Sequence, residues 1–532
     1  MYPNALRRTA TVAVAVLSSV ALLAGCATSG GSESDDVGEG TIGIIGNQPS
    51  GGEPVSGGTL SYASASPVTT LDPIKGRPSG FLGGTEMAAI YDLLMRYDWE
   101  TRSYQPQLAE SLSESADNLT WTLKLRPGVT FSDGSPLDAA AVVSNTNRFT
   151  AGKGSGSELF AETVTSVEPT DQLTVIYSLN RPWKEFPATL VAGYGLVVAD
   201  SSYAGENFTP IGAGAFTMEK FTPGSEIVLK PRADYWGGKP NIDELKFVDI
   251  QGEQPKVEAL RTGGIQMTYL RNADSVAIAA AEFPGYYEAV NTTEAVLINT
   301  RENRPGSDLR VRQAISLAMD PVVINQRARA GAGEVADGLF QSWSNWFSES
   351  ANKKFDPDAA RTLLDEAKAQ GYDGKLTYVT PQNIEDKDIA LAVQSMLQTV
   401  GFTVDIQYIS STTDLVKTLF VTHDFDLSGG GWGVSDDVPL NRLYGALATG
   451  TRNNIGAYSN PDLDKALVEA QTATNDEERK AAFATVQTVV NDSVPFVPWA
   501  AGANFVPWRS NVHGVVVSTD GLALFDKVWI SD

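Results

Sequence analysis

Apolar and polar positions along this chain switch repeatedly between a period of two and a period near 3.6. Leu119, Trp121, Leu123 and Leu125 alternate with polar neighbours, as do Phe402, Val404, Ile406 and Tyr408, so each run predicts a strand with one buried face. The β-prone runs 216–221 and 226–229 flank Thr222-Pro223-Gly224-Ser225, where proline presets the turn and glycine accepts positive φ, predicting a hairpin. A further strand is expected at Leu245, Phe247 and Asp249, another at 295–299 and a first one at 57–62. Helical spacing takes over at 85–97 and, after Asp308, at Val311, Ala314, Ile315 and Ala318. Asp356-Pro357 and Asn460-Pro461 each set a capping side chain before a proline, opening helices that carry Leu363, Leu364 and Ala367, then Leu463, Ala466 and Leu467. Ser135 is expected to cap a helix with Pro136 at its first position and Asp138 at its third. Gly371 and Gly401 stand where helices end. Strands and helices that interleave in this way predict α/β layers.

The N-terminus breaks the pattern. Arg7 and Arg8 precede an apolar run from Val12 to Leu23, too short to span a bilayer and of signal-peptide character, so 1–25 is expected to be removed. The run ends in Leu23-Ala24-Gly25-Cys26, which resembles the bacterial lipobox; Cys26 is the only cysteine, and lipidation there gives an unpaired exported thiol a purpose. Residues 26–56, rich in Gly, Ser, Asp and Glu, are expected to form a flexible tether. Gly38, Gly40 and Gly43 satisfy G-x-G-x-x-G, yet no strand precedes them and no amphipathic helix follows, so no nucleotide site is assigned.

Composition narrows the chemistry. A net charge of −24 over 532 residues opposes binding to nucleic acid and to anionic lipid surfaces. His423 and His513 are the only imidazoles and have no second ligand at useful spacing, so neither a metal nor any other cofactor is expected. There is no G-x-x-x-x-G-K-[ST] loop, and two histidines give a Ser-His-Asp or zinc hydrolase little to work with, so an enzyme is not expected.

The stretch 211–250 carries Gly212 and Gly214, the hairpin, and Asp234-Tyr235-Trp236-Gly237-Gly238-Lys239-Pro240, whose aromatics are expected to be packing anchors. In this order the elements resemble the signature of extracellular solute-binding protein family 5, the peptide- and nickel-binding receptors of ABC importers. The opening strand, Thr69-Thr70-Leu71-Asp72-Pro73, 125–134 and 309–315 are similar to further parts of that family's pattern. The resemblance implies a two-lobed, periplasmic-binding-protein-like α/β fold of type II, in the large peptide-binding class with an extra subdomain in the first lobe. Lobe I is expected at 57–293 and 497–532, and lobe II at 294–496. It implies a monomer that traps a small solute, an oligopeptide foremost, by hinge closure and delivers it to separately encoded permease and ATPase subunits. An oligosaccharide or metal-chelate ligand, or a scaffold or signalling lipoprotein that no longer transports, are the alternatives.

The resemblance also locates the site. Its glycine-tryptophan segment is Gly429 to Pro439 here, with Gly431 and Trp432 expected at the cleft. Peptide-binding members hold the ligand's α-ammonium with an aspartate three residues after the tryptophan; that position is Ser435, with Asp436 and Asp437 immediately beyond. Dipeptide receptors place an arginine after the strand at 376–379, where this chain has Pro381-Gln382-Asn383-Ile384. Thr69, Thr70 and Asn383 complete the expected contacts, and recognition of a free C-terminus by an arginine in that loop is not expected.

Overall fold

The computed structural model describes residues 38–336, 338–349 and 354–531. Thr120–Leu125 buries Trp121, Leu123 and Leu125 and pairs with Ala109–Glu114 and Thr174–Leu179; Val164–Pro169 completes a four-stranded antiparallel sheet. Helix Ala139–Ala151 packs on it and drives Val142 and Phe149 into its core. A five-stranded sheet runs in the order Met267–Thr268, Thr59–Ala63, Glu244–Val248, Glu226–Pro231, Phe216–Thr222, so the expected hairpin forms two neighbouring strands, with Gly224 at φ 70° in the turn. Leu245 and Phe247 point into its core.

The aromatic pair after the hairpin is a packing anchor with a polar centre. Tyr235 Oη and Trp236 Nε1 donate to one oxygen of Asp92 at 2.8 and 2.9 Å, while the other receives the Leu93 amide at 2.8 Å and Gln107 Nε2 at 3.1 Å. Burial raises the Asp92 carboxyl to about 6, against the pull of Trp236 and Tyr235. Arg126 lies over the Trp236 ring at 4.6 Å.

The largest sheet is built on a ribbon of two long antiparallel strands, Gly285–Ile298 and Phe496–Pro507. Its two ends serve different surroundings. At 285–290 the first strand faces 502–507 and takes Ile42–Ile45 as an outer neighbour. At 294–297 it faces 496–500 and joins Leu427–Gly430, followed by Lys375–Pro381 and Thr403–Ile409. The pairing shifts register between Val290 and Glu294 and again before Ala295, leaving 291–293 outside the regular ladder. Around the second end pack the helices Leu309–Ala318, Pro357–Ala369 and Ile384–Thr399, with Val311, Ala314, Ile315, Leu364 and Ala367 buried. Asp356 and Asn460 cap their helices as the sequence predicts, and Asp308 caps the helix that follows it.

Four expectations are corrected. The tether does not extend to 56: Ile42–Ile45 is a strand of the large sheet, and Gln48 bonds to Ser510, Val512, His513 and Trp508. The helix expected at 85–97 is Gly84–Tyr91, because Asp92 at φ 59° ends it and Met95–Asp98 is already a strand. Asp138, not Ser135, caps the next helix, accepting the Ala141 amide at 2.9 Å; Ser135 instead closes a turn on Asp133. Tyr408 is 41% exposed because Thr403–Ile409 is the outermost strand of its sheet.

Candidate functional site

The break at 291–293 is where the ribbon meets the segment 338–341, whose carbonyls at 338 and 339 accept from Thr292 Oγ1 and whose Gln341 amide donates to Asn291 Oδ1. The glycine loop leaving Leu427–Gly430 is fastened to it by the Gly433 amide on Thr292 O and the Asn291 amide on Val434 O, both at 3.0 Å. Gly431 crosses the ribbon so closely that a Cβ there would lie 1.7 Å from the Thr293 carbonyl oxygen. Its missing side chain therefore serves a backbone crossing. Gly433, at φ 60°, turns the chain beside the Arg271 guanidinium. Trp432 is half-buried and sets its ring edge-to-face with Phe496 at 4.5 Å, so at least one side of it is a packing contact.

The two acidic candidates have opposite fates. Asp436 is buried, and its Oδ1 accepts from Asn291 Nδ2 at 2.8 Å and Ser344 Oγ at 2.6 Å. Its Oδ2 accepts from the Asn345 amide at 2.8 Å and Asn345 Nδ2 at 3.1 Å, and its carbonyl takes Trp346 Nε1 at 2.9 Å. A carboxylate so fully occupied pins the segment 338–346 to the ribbon and has little left for a ligand. Asp437, by contrast, has a buried Oδ1 with no close hydrogen-bond partner among the described residues. Burial raises its carboxyl to about 6, with Asp520 and Asp436 adding to it and the neighbouring Thr519 hydroxyl pulling the other way.

Around Asp437 collect groups that no local pattern announces. Glu288, on the ribbon, is 2% exposed and accepts from Asn504 Nδ2 of the facing strand at 3.0 Å. Burial first, then Asp437 and Asp520, raise it to about 8, with Asn504 and the Ser435 hydroxyl pulling the other way. Ser435 is thus turned toward a protein carboxylate and is buried. Asn504 Oδ1 and Tyr269 Oη are also buried without a hydrogen-bond partner among the described residues. Tyr104 Oη reaches the Asp437 carbonyl at 3.4 Å, and its ring lies against Tyr97 at 5.4 Å. Asp520, held at φ 58° on the turn Thr519–Gly521, binds Arg442 at 3.0 Å. A crowded set of acids with unmet acceptors and aromatic walls is suited to a cation that arrives with its own donors.

The remaining candidates are not gathered here. Thr69 is exposed, and Thr70 Oγ1 accepts the Asp72 amide at 3.1 Å within its own loop. Asn383 is exposed and caps the helix Ile384–Thr399 through the Asp386 amide. Where the sequence offered no cation near this loop, the structure brings one from elsewhere: Arg329 binds Glu385 at 2.7 Å and Glu294 at 3.6 Å, over the Trp499 ring. His423 is engaged with Leu419 O at 2.8 Å, and His513 stacks on Trp529 at 4.4 Å. Among the described residues no helix is long and apolar enough to cross a membrane, and Cys26 lies outside them.

Sequence and fold comparisons agree with this geometry. The pattern of the bacterial extracellular solute-binding proteins, family 5 Middle, matches residues 103–454. Di/tripeptide-binding protein 2 of Pseudomonas aeruginosa is 24% identical over 512 residues, covering 88% of this chain and 94% of the relative. Heme-binding protein A of Haemophilus influenzae is 26% identical over 512 residues, covering 86% of this chain and 90% of the relative. Among solved structures, the oligopeptide-binding protein AppA of Bacillus subtilis, in complex with a nonapeptide, aligns with a TM-score of 0.77 at 22% identity over 90% of this chain and 100% of that one. The chain belongs to the bacterial extracellular solute-binding proteins of family 5, with their two-lobed α/β fold, and is homologous to peptide-binding proteins of ABC importers.

Proposed function

We propose that this chain is the lipid-anchored receptor of an ABC importer, capturing an oligopeptide-like solute between lobe I (57–293 and 497–532) and lobe II (294–496) and passing it to a membrane permease. One observation supports a cationic group on that solute: the buried Asp437 Oδ1, which has no close hydrogen-bond donor among the described residues beyond the approach of the Thr519 hydroxyl, beside Glu288 and Asp520. A desolvated ammonium placed there satisfies the acceptor and lowers the cost of two neighbouring acids. Asp437 takes over, two residues later, the part the family gives to the position of Ser435; Ser435 and Asp436 serve the protein. Trp432 walls the cleft on its unpacked side. The ribbon break at 291–293 is the hinge, the one place where both crossing strands lose regular pairing together.

The test is native mass spectrometry of the whole chain extracted in mild detergent, followed by titration of whatever co-purifies. A ladder of peptide masses whose binding weakens in Asp437→Asn supports the reading; a single non-peptide mass moves it to a sugar or chelate receptor. No co-purified solute, and no response to a mixed peptide and sugar panel, replaces it with a scaffold. The anchor is tested separately: Cys26→Ala is expected to release the protein from membranes, and a diacylglyceryl mass on the N-terminal cysteine peptide is expected in the parent.

A further inference from the structure

The loop 74–80 lies between two arginines contributed by the other lobe. On one side, Gly152 abuts Ile74, a Cβ there falling 2.5 Å from Ile74 Cγ2, and the next residue, Lys153, accepts Arg452 Nη2 on its carbonyl at 2.8 Å. On the other, Gly80 presses on Asp520, a Cβ falling 2.0 Å from its carbonyl oxygen, and Asp520 holds Arg442 at 3.0 Å. Arg77 sits between these flanks, its guanidinium 6.0 Å from the Phe420 ring centroid. Arg77 and Arg452 are exposed and Arg442 partly so, and among the described residues neither Arg77 nor Arg452 forms an ion pair. Their proximity is felt electrostatically: partial loss of water, then the charges of Arg452 and Arg442, pulls the Arg77 guanidinium below its ordinary value. Asp520 offsets the charge of Arg442, while Arg77 and Arg452 have no carboxylate beside them among the described residues, so a further anion would relieve their mutual repulsion.

We propose that Arg77, Arg442 and Arg452 form an anion site across the two lobes that receives an oxyanion of the captured solute, a carboxylate or a phosphate. The inference rests on the receptor reading above and gives its cleft a second pole. Asp520 joins the two poles, since it pairs with Arg442 and also raises Glu288 and Asp437. A solute with a cation toward Asp437 and an oxyanion toward Arg77 would meet complementary charge at both ends. Because the guanidinium groups come from both lobes, the bound oxyanion also holds the lobes together.

The test uses two defined probes on the full chain. Inorganic phosphate, titrated at constant ionic strength against a chloride control, is expected to raise the thermal midpoint saturably, and Arg77→Gln and Arg452→Gln are each expected to weaken that response about tenfold. Trialanine and its C-terminal amide, followed by calorimetry, separate the sources: a carboxylate site favours the free acid in the parent and loses that preference in Arg77→Gln. The proposal is overturned if neither probe responds, or if both variants respond like the parent. It is also overturned if a co-purified solute proves to carry no anionic group, an outcome that leaves the receptor reading intact. Arginine-dependent phosphate binding in a chain that captures no solute would sustain the anion site and remove the receptor reading instead.

Discussion

The carboxylate of Asp436 accepts hydrogen bonds from Asn291, Ser344 and Asn345 over both of its oxygens, whereas Asp437, one residue on, keeps a buried oxygen with no partner. Asp92 belongs with the first, ringed by Leu93, Gln107, Tyr235 and Trp236. Glu288 belongs with the second, pressed against other acids with Asn504 as its one strong donor. The difference teaches that burial alone does not mark a binding carboxylate. Scaffold acids have their demand met inside the protein; the others are left short, which is what the proposed site would ask a ligand to supply.

The largest effect that can break this comparison is on folding. Asp436→Ala strands buried donors from Asn291, Ser344 and Asn345 and is expected to cost about 3–5 kcal/mol in urea unfolding, while Asp437→Ala costs less than about 1 kcal/mol. Equal losses at the two positions would end the distinction between scaffold and site.

Binding gives the next largest effect. Asp437→Asn keeps the shape and removes the charge, and is expected to weaken a co-purified cationic solute by about 2–3 kcal/mol, with the stability of the empty protein unchanged or higher. Unaltered affinity in this variant would remove Asp437 from the ligand contacts.

How much of this was legible in the sequence depends on the range of the forces involved. Caps, turns and strand faces are set by neighbours a few residues apart, and Asp356, Asn460, Gly224 and the faces at 121–125 and 245–247 read correctly. The site was half legible: the glycine-tryptophan segment pointed to Asp436 and Asp437 but not to which is free, because that is decided by Asn291 and Ser344, 145 and 92 residues away from Asp436. Glu288 carried no signal, since its burial comes from a partner strand 216 residues away. Arg77, Arg442 and Arg452 carry no local pattern, since contacts distant in sequence place them.

A smaller effect sharpens the electrostatic half of the comparison. Glu288 binds its proton more tightly folded, at about 8, than an ordinary carboxyl, so its contribution to stability is complete in acid and is lost as pH rises toward its folded value. Asp437 does the same up to about 6. The empty protein is therefore expected to lose stability between about pH 5 and pH 8, and Glu288→Gln to recover about 1 kcal/mol at the alkaline end. Asp92, raised to about 6, and Glu185, to about 7, keep part of the slope, so it shrinks without vanishing. Parallel pH profiles for parent and variant would show that Glu288 is not held protonated.

The smallest effect concerns Trp432, which stands between the two categories. Its edge-to-face contact with Phe496 at 4.5 Å is worth about 0.5–1.5 kcal/mol, so Trp432→Ala lowers stability by roughly that amount plus lost burial. If its free side also walls the cleft, Trp432→Phe, which keeps an aromatic ring against Phe496, restores most of the stability while binding of the co-purified solute stays several-fold weaker. The discriminating quantity is the split between the two variants, measured by unfolding and by titration on the same samples. Recovery of both together in Trp432→Phe would mean that the tryptophan serves the core alone, leaving the unmet acceptors at Asp437 as the chief mark of the site on this loop.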